Sequence, residues 1–138
     1  MEQRDKIIKK FHSNPLFFFG FYFSGCIFII VGLFSFIAIS MIGLIIIFAG
    51  EITRRCESFY IMDSGVGREY RFLSTSRKFV GYDKIQNIEV EQSFIHNIFG
   101  IGTIKFDTAG MDKVELHFGG IDDPHKIEEI VRSKMISK

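Results

Sequence analysis

The sequence predicts a membrane-anchored α+β protein: an N-terminal two-helix transmembrane hairpin, then an antiparallel β domain capped by a C-terminal α-helix. Three observations predict it. Residues 16–50 contain no Asp, Glu, Lys, Arg or His. Beyond Cys56, apolar and polar residues alternate in several short runs, the signature of half-buried strands. Near the end the apolar spacing changes to three and four residues, which marks an amphipathic helix.

The chain has 138 residues, room for one ordinary domain or for an anchor with a small domain attached. Its formal charge of +1 is a sum of unlike parts. Residues 1–55 carry six basic against three acidic side chains, and the remainder is slightly acidic. A β domain so balanced lacks the basic face that would neutralise phosphates, which argues against a nucleic-acid partner. Cys26 lies within the apolar run and Cys56 just beyond it, so the pair reads as two unpaired thiols.

The uncharged run is 35 residues long. One straight helix of that length would measure roughly 50 Å, whereas the hydrocarbon core is about 30 Å thick. Two helices joined by a tight reversal at Gly32-Leu33-Phe34-Ser35 fit better. Asn14-Pro15 supplies the start: an Asn cap, then Pro at the first helical position, where no amide donor is missed. The second span runs from about Phe36 to about Arg54. The run is too long for a secretory signal and has no Ala-x-Ala-like cleavage site.

Orientation follows from the flanks. Arg4, Lys6, Lys9 and Lys10 precede the first span, and Arg54-Arg55 closes the second. Under the positive-inside rule both ends belong in the cytoplasm, as a multi-pass hairpin in the cell membrane requires. The expected segments are therefore a basic cytoplasmic stretch (1–14), the hairpin (15–55) and the β domain (56–138). The first stretch, with Ile7, Ile8 and Phe11 among its lysines, reads either as a short interfacial helix or as a frayed basic tail.

In the β domain, Glu57–Met62 and residues 66–72 read as strands around the turn Asp63-Ser64-Gly65. Residues 76–80 form a further strand. In residues 88–94, Ile88, Val90 and Phe94 point one way while Glu89, Glu91 and Ser93 point the other. Residues 103–107 and 113–118 alternate likewise, with Ala109-Gly110 and Gly119-Gly120 as punctuation. Asp122-Asp123-Pro124 opens the last helix, with acid at the positive end of its dipole. Its Ile127, Ile130, Val131 and Met135 form the face expected to cover the sheet.

Several stretches carry a resemblance: Tyr60-Ile61-Met62-Asp63, then Asp83-Lys84-Ile85-Gln86-Asn87-Ile88-Glu89-Val90-Glu91-Gln92-Ser93, then Phe99-Gly100-Ile101-Gly102-Thr103-Ile104, Thr108-Ala109-Gly110 and Ile121-Asp122-Asp123-Pro124. Together they are similar to the bacterial pleckstrin-homology (PH)-like family of membrane proteins. Asn97 stands where that family often has a basic residue, and the first hairpin is unusually rich in glycine. The resemblance implies a PH-like antiparallel β-barrel or sandwich capped by the C-terminal helix, and a binding module rather than an enzyme.

The residues agree in offering no chemistry. The Gly-x-Gly pairs at 65/67 and 100/102 lack the strand-to-helix context of a phosphate loop. The histidines at 12, 96, 117 and 125 have no zinc-ligand spacing, and Ser64 and Ser93 have no nucleophile elbow. No catalytic residue, cofactor or metal is expected. Specific phosphoinositide recognition is not expected either, since the first hairpin offers only Arg68 and Arg71 as phosphate donors. The candidate interaction patch is Phe94, Ile95, Ile98 and Phe99, too apolar for an ordinary connection. These four either fold into the core or face a partner or the bilayer. The expected function is protein–protein interaction or assembly at the membrane, with another membrane protein or a second copy. The alternative is a lipid-surface binding module.

Overall fold

The computed structural model describes residues 6–109 and 116–137. The elements, in chain order, are β1 (Ile7–Phe11), α1 (Phe19–Ser35), α2 (Ile37–Cys56), β2 (Glu57–Met62), β3 (Gly65–Arg71), β4 (Thr75–Gly81), β5 (Ile85–Glu91), α3 (Phe94–Ile98), β6 (Ile101–Thr108), β7 (Leu116–Asp122) and α4 (Pro124–Ile136). Short 3-10 turns at Pro15–Phe18 and Tyr82–Lys84 lead into α1 and β5.

Asn14 caps the entry to the first helix, its side chain accepting from the Leu16 amide at 2.8 Å, with Pro15 following as expected. The helix ends at Ser35, and the single extended residue Phe36 separates it from α2. So abrupt a reversal needs the helices almost in contact. A Cβ on Gly32 would collide with the backbone of Ser40, and one on Gly43 would lie 2.6 Å from the Gly25 carbonyl oxygen. Both helices are long and apolar enough to cross a membrane. Their buried positions are Gly25, Gly32, Gly43 and Gly50, while large side chains such as Phe23, Ile30, Leu44, Ile45 and Phe48 point outward. At the base, Glu51 accepts from Tyr22 on the other helix at 2.7 Å and pairs with Arg54 and Arg55, each at 2.6 Å.

The strands form two antiparallel sheets, in the orders β1-β2-β3-β4 and β5-β6-β7. Alternation builds the space between them: Phe59 and Ile61 of β2, Ile104 and Phe106 of β6, and Leu116 and Phe118 of β7 are fully buried. One face of α4 lies against this core through Ile127 and Val131, with Ile130 and Met135 packed beside them. Its cap, Asp123, sits in the left-handed region at φ 48°, a conformation that Asp tolerates better than most residues. The Asp123 amide donates to the Gly100 carbonyl at 2.9 Å, which fixes where the helix starts.

The structure corrects the sequence reading in several places. Residues 7–11 are neither an interfacial helix nor a frayed tail. They are an edge strand, with Phe11 opposite Phe59 and Ile7 opposite Met62. The β domain therefore does not begin at 56: the helical pair is inserted between its first two strands. Gly119-Gly120 does not end a strand but lies inside β7, where Gly120 adopts φ +66° beneath the Phe17 ring. Phe94 does not continue the alternation of β5; it begins α3. Ile130 is partly rather than fully buried. The expected strand segment at 113–115, and Gly110, lie outside the described residues.

Candidate interaction surfaces

The four residues singled out as a patch are brought together by one short helix: Phe94, Ile95 and Ile98 lie on α3 and Phe99 follows its last residue. Ser93 caps α3 by accepting from the His96 amide at 3.3 Å, and Gly100, at φ +67°, turns the chain into β6. None of the four enters the core: Phe94 is 82 % exposed and Ile98 67 %, with Ile95 and Phe99 also exposed. The reading that they fold back inward is therefore replaced.

The position of α3 follows from contacts to the start of α1. Ser13 donates to the Gly119 carbonyl at 2.6 Å, and the Asn14 amide to the Gly120 carbonyl at 2.7 Å. The Phe17 ring lies over Gly119-Gly120 and stacks on the His96 ring at 5.2 Å. Because β7 ends here, and Gly102 at the start of β6 is the register partner of Ile121, α3 sits beside the root of the helical pair.

The β3–β4 turn lies at the same end, on the other sheet. Glu57 leaves α2 and pairs with Tyr70, so the chain beyond Arg71 reverses at the end from which the helices depart. Its tip is Phe72, 56 % exposed, and Leu73, 93 % exposed. The sequence reading placed Phe72 in a strand and missed this tip; two apolar residues directly before the polar run Ser74-Thr75-Ser76 were the available signal.

The outer face of the four-stranded sheet carries a hollow of about 300 Å³. Ile7, Tyr60, Met62 and Phe79 form its walls, and Gly67, lacking a side chain, leaves its floor open. Beside it Glu69 accepts from Tyr60 at 3.2 Å and pairs with Arg71 and with Arg77, the latter at 3.4 Å. Burial pushes the Glu69 carboxyl up, but the Tyr60 and Arg71 hydrogen bonds and the two guanidinium charges outweigh it and hold the group below its ordinary range. On the opposite face, Arg68 pairs with Glu57 and lies 3.2 Å from His117 Nε2. Both arginines of the first hairpin are thus engaged by carboxylates.

The Arg68–His117 contact links β3 to β7, and so one sheet to the other. Burial, then the Arg68 charge, holds the His117 ring below its ordinary value of 6.5. A folded value below the unfolded one means that unfolded chains bind more protons in this window, so stability is complete above about pH 6.5 and declines as pH falls through the lowered folded value. His117→Gln keeps an acceptor but takes up no proton. Its denaturation midpoint should therefore fall less than the parent's between about pH 7.5 and about pH 5.5. Equal losses in the two proteins would remove His117 from the acid response.

Among the described residues, no group of three or more His, Cys, Asp or Glu is placed to hold a metal ion. Among the described residues, two stacked antiparallel sheets of four and three strands, with a C-terminal helix, fit a PH-like fold. Residues 21–135 match the model of the family described as Bacterial PH domain, and the chain belongs to that family. No curated protein matches it. Among solved structures it is similar to a DUF1696 family protein with a pleckstrin-homology domain from Shewanella loihica PV-4. The identity is 16 %, over 57 % of this chain and 71 % of that one, with a TM-score of 0.43.

Proposed function

We propose that this protein is a membrane-anchored PH-like module that faces the cytoplasm and acts by binding protein, through interaction or assembly at the membrane, rather than by catalysis. The observation that carries the anchoring is the inside-out packing of α1 and α2. A helical pair in water buries its large apolar side chains and exposes small or polar ones. Here glycines occupy the interface and the Phe, Ile and Leu side chains face outward, the arrangement favoured when the surroundings are hydrocarbon. Lys6, Lys9, Lys10, Arg54 and Arg55 flank the pair at one end and support a cytoplasmic location for that end.

The hollow on the outer sheet face supports protein as the partner. It offers two aromatic walls, a thioether and an aliphatic side chain around an open floor, with Glu69, Arg71, Arg77 and Lys78 also lining it, a composition that suits an apolar anchor residue flanked by charge. Another membrane protein and a second copy of this chain are the partners in reach of an anchored domain.

Two measurements test the proposal. With Cys26 and Cys56 replaced, single cysteines at Ser35, Ser74 and Ser137 should behave differently toward an impermeant thiol reagent on intact cells: Ser35 labels and the other two do not. Labelling at Ser74 or Ser137 would overturn the orientation. A photo-crosslinking residue at Phe79 should then yield a discrete protein adduct in native membranes. Its absence, with normal expression, would remove the hollow as a docking site.

A further inference from the structure

We propose that the β3–β4 turn is a bilayer contact, paired with α3 across the root of the anchor, so that both apolar elements rest in the boundary between headgroups and acyl chains. This rests on the anchoring reading above and adds to it a site for lipid.

The argument begins with position. The pairing of Glu57 with Tyr70 carries Phe72 and Leu73 to the end of the sandwich from which α2 departs. The stack of His96 on Phe17 holds α3 at the same end, beside the start of α1. The two elements belong to different sheets. The exposed apolar surface continues between them along the anchor itself, through Leu16, Phe19 and Phe21.

Chemistry selects the occupant. Phe, Leu and Ile are side chains that gain most from the acyl boundary, and cations beside them gain from anionic headgroups. Arg71 directly precedes the turn and Arg55 lies at the end of α2; each pairs with a carboxylate, Glu69 and Glu51, yet keeps its guanidinium largely exposed. Geometry favours lipid over protein. Both elements lie at the end from which the helices depart, so a bilayer that holds the helices meets both at once.

The chain contains no Trp, so one introduced indole reports on one position. Four full-length variants would be reconstituted into phosphatidylcholine–phosphatidylglycerol vesicles with and without dibrominated acyl chains: Leu73→Trp, Ile98→Trp, Phe79→Trp and Ile45→Trp. All four positions are exposed, so none disturbs the core. Phe79 lies roughly 15 Å along β4 from the turn, at about 3.3 Å per residue. Leu73→Trp and Ile98→Trp should be quenched by the brominated lipid and emit to the blue of Phe79→Trp. If Ile45→Trp is quenched while Leu73→Trp matches Phe79→Trp, the anchor stands and the turn contact is overturned. If Ile45→Trp is not quenched, the anchoring reading fails and this proposal falls with it. A blue-shifted but unquenched Leu73→Trp would show burial against a second copy and would also overturn the lipid contact.

Discussion

Phe118→Ala is expected to lower stability by about 3–5 kcal/mol, the usual cost of deleting a buried phenyl ring. Phe118 is fully buried, and its ring centre lies 4.8 Å from Phe59, 5.1 Å from Phe106 and 5.8 Å from Phe11. These three neighbours stand on β2, β6 and β1, so one ring fills space against both sheets. Small domains have about 5–15 kcal/mol in total, and such a loss is a large part of it. The denaturation midpoint of the full chain in detergent micelles measures it. A loss below about 1 kcal/mol would mean that the sheets are not packed through this ring.

Ile127→Asp should be comparably damaging, for an electrostatic reason. Ile127 is 1 % exposed and belongs to the central cluster, so a carboxylate there would be buried without a partner, at a cost of several kcal/mol. Ile130→Asp should cost markedly less. Its side chain packs at the edge of the cluster and remains partly exposed, leaving a carboxylate a route to water. Limited proteolysis of the two variants beside the parent separates them: Ile127→Asp should be cut within the β domain under conditions that Ile130→Asp survives. Equal sensitivity would mean that α4 is rotated on the sheet.

Much of this fold was legible because local pattern and tertiary environment agree. In Glu57–Met62 the alternating residues Phe59 and Ile61 are the buried ones, and in Ile101–Thr108 so are Ile104 and Phe106. The Asn14-Pro15 start follows from backbone chemistry that needs no distant partner, whereas the reversal expected at Gly32-Leu33-Phe34-Ser35 falls at Phe36, those four residues staying helical. What was hidden depends on residues far away in sequence. Ile7-Ile8-Lys9-Lys10-Phe11 does not alternate, and it becomes a strand because β2, beyond the whole helical pair, offers it an edge. Gly119-Gly120 carries the composition of a turn, yet it serves to let the Phe17 ring approach. The candidate patch was found by its apolarity alone. Whether it was core or surface could not be decided without knowing that Ser93 starts a helix too short to show a period. The hollow was invisible because Gly67, Met62 and Phe79 meet only when three strands are in register.

The insertion of α1 and α2 between β1 and β2 makes them something other than a leash. Phe11 and Phe59 are register partners, so the chain departs for the helices and returns at neighbouring points of one sheet. A domain hung on a single strand of chain can swivel; one gripped by two adjacent legs cannot. Under the anchoring proposed above, the compass bearing of the sandwich, and with it the direction in which the Phe79 hollow looks, is set once at assembly. The seam between β1 and β2 joins strands that the whole helical pair separates in sequence, so the first strand acts as a clasp across the base of the helices.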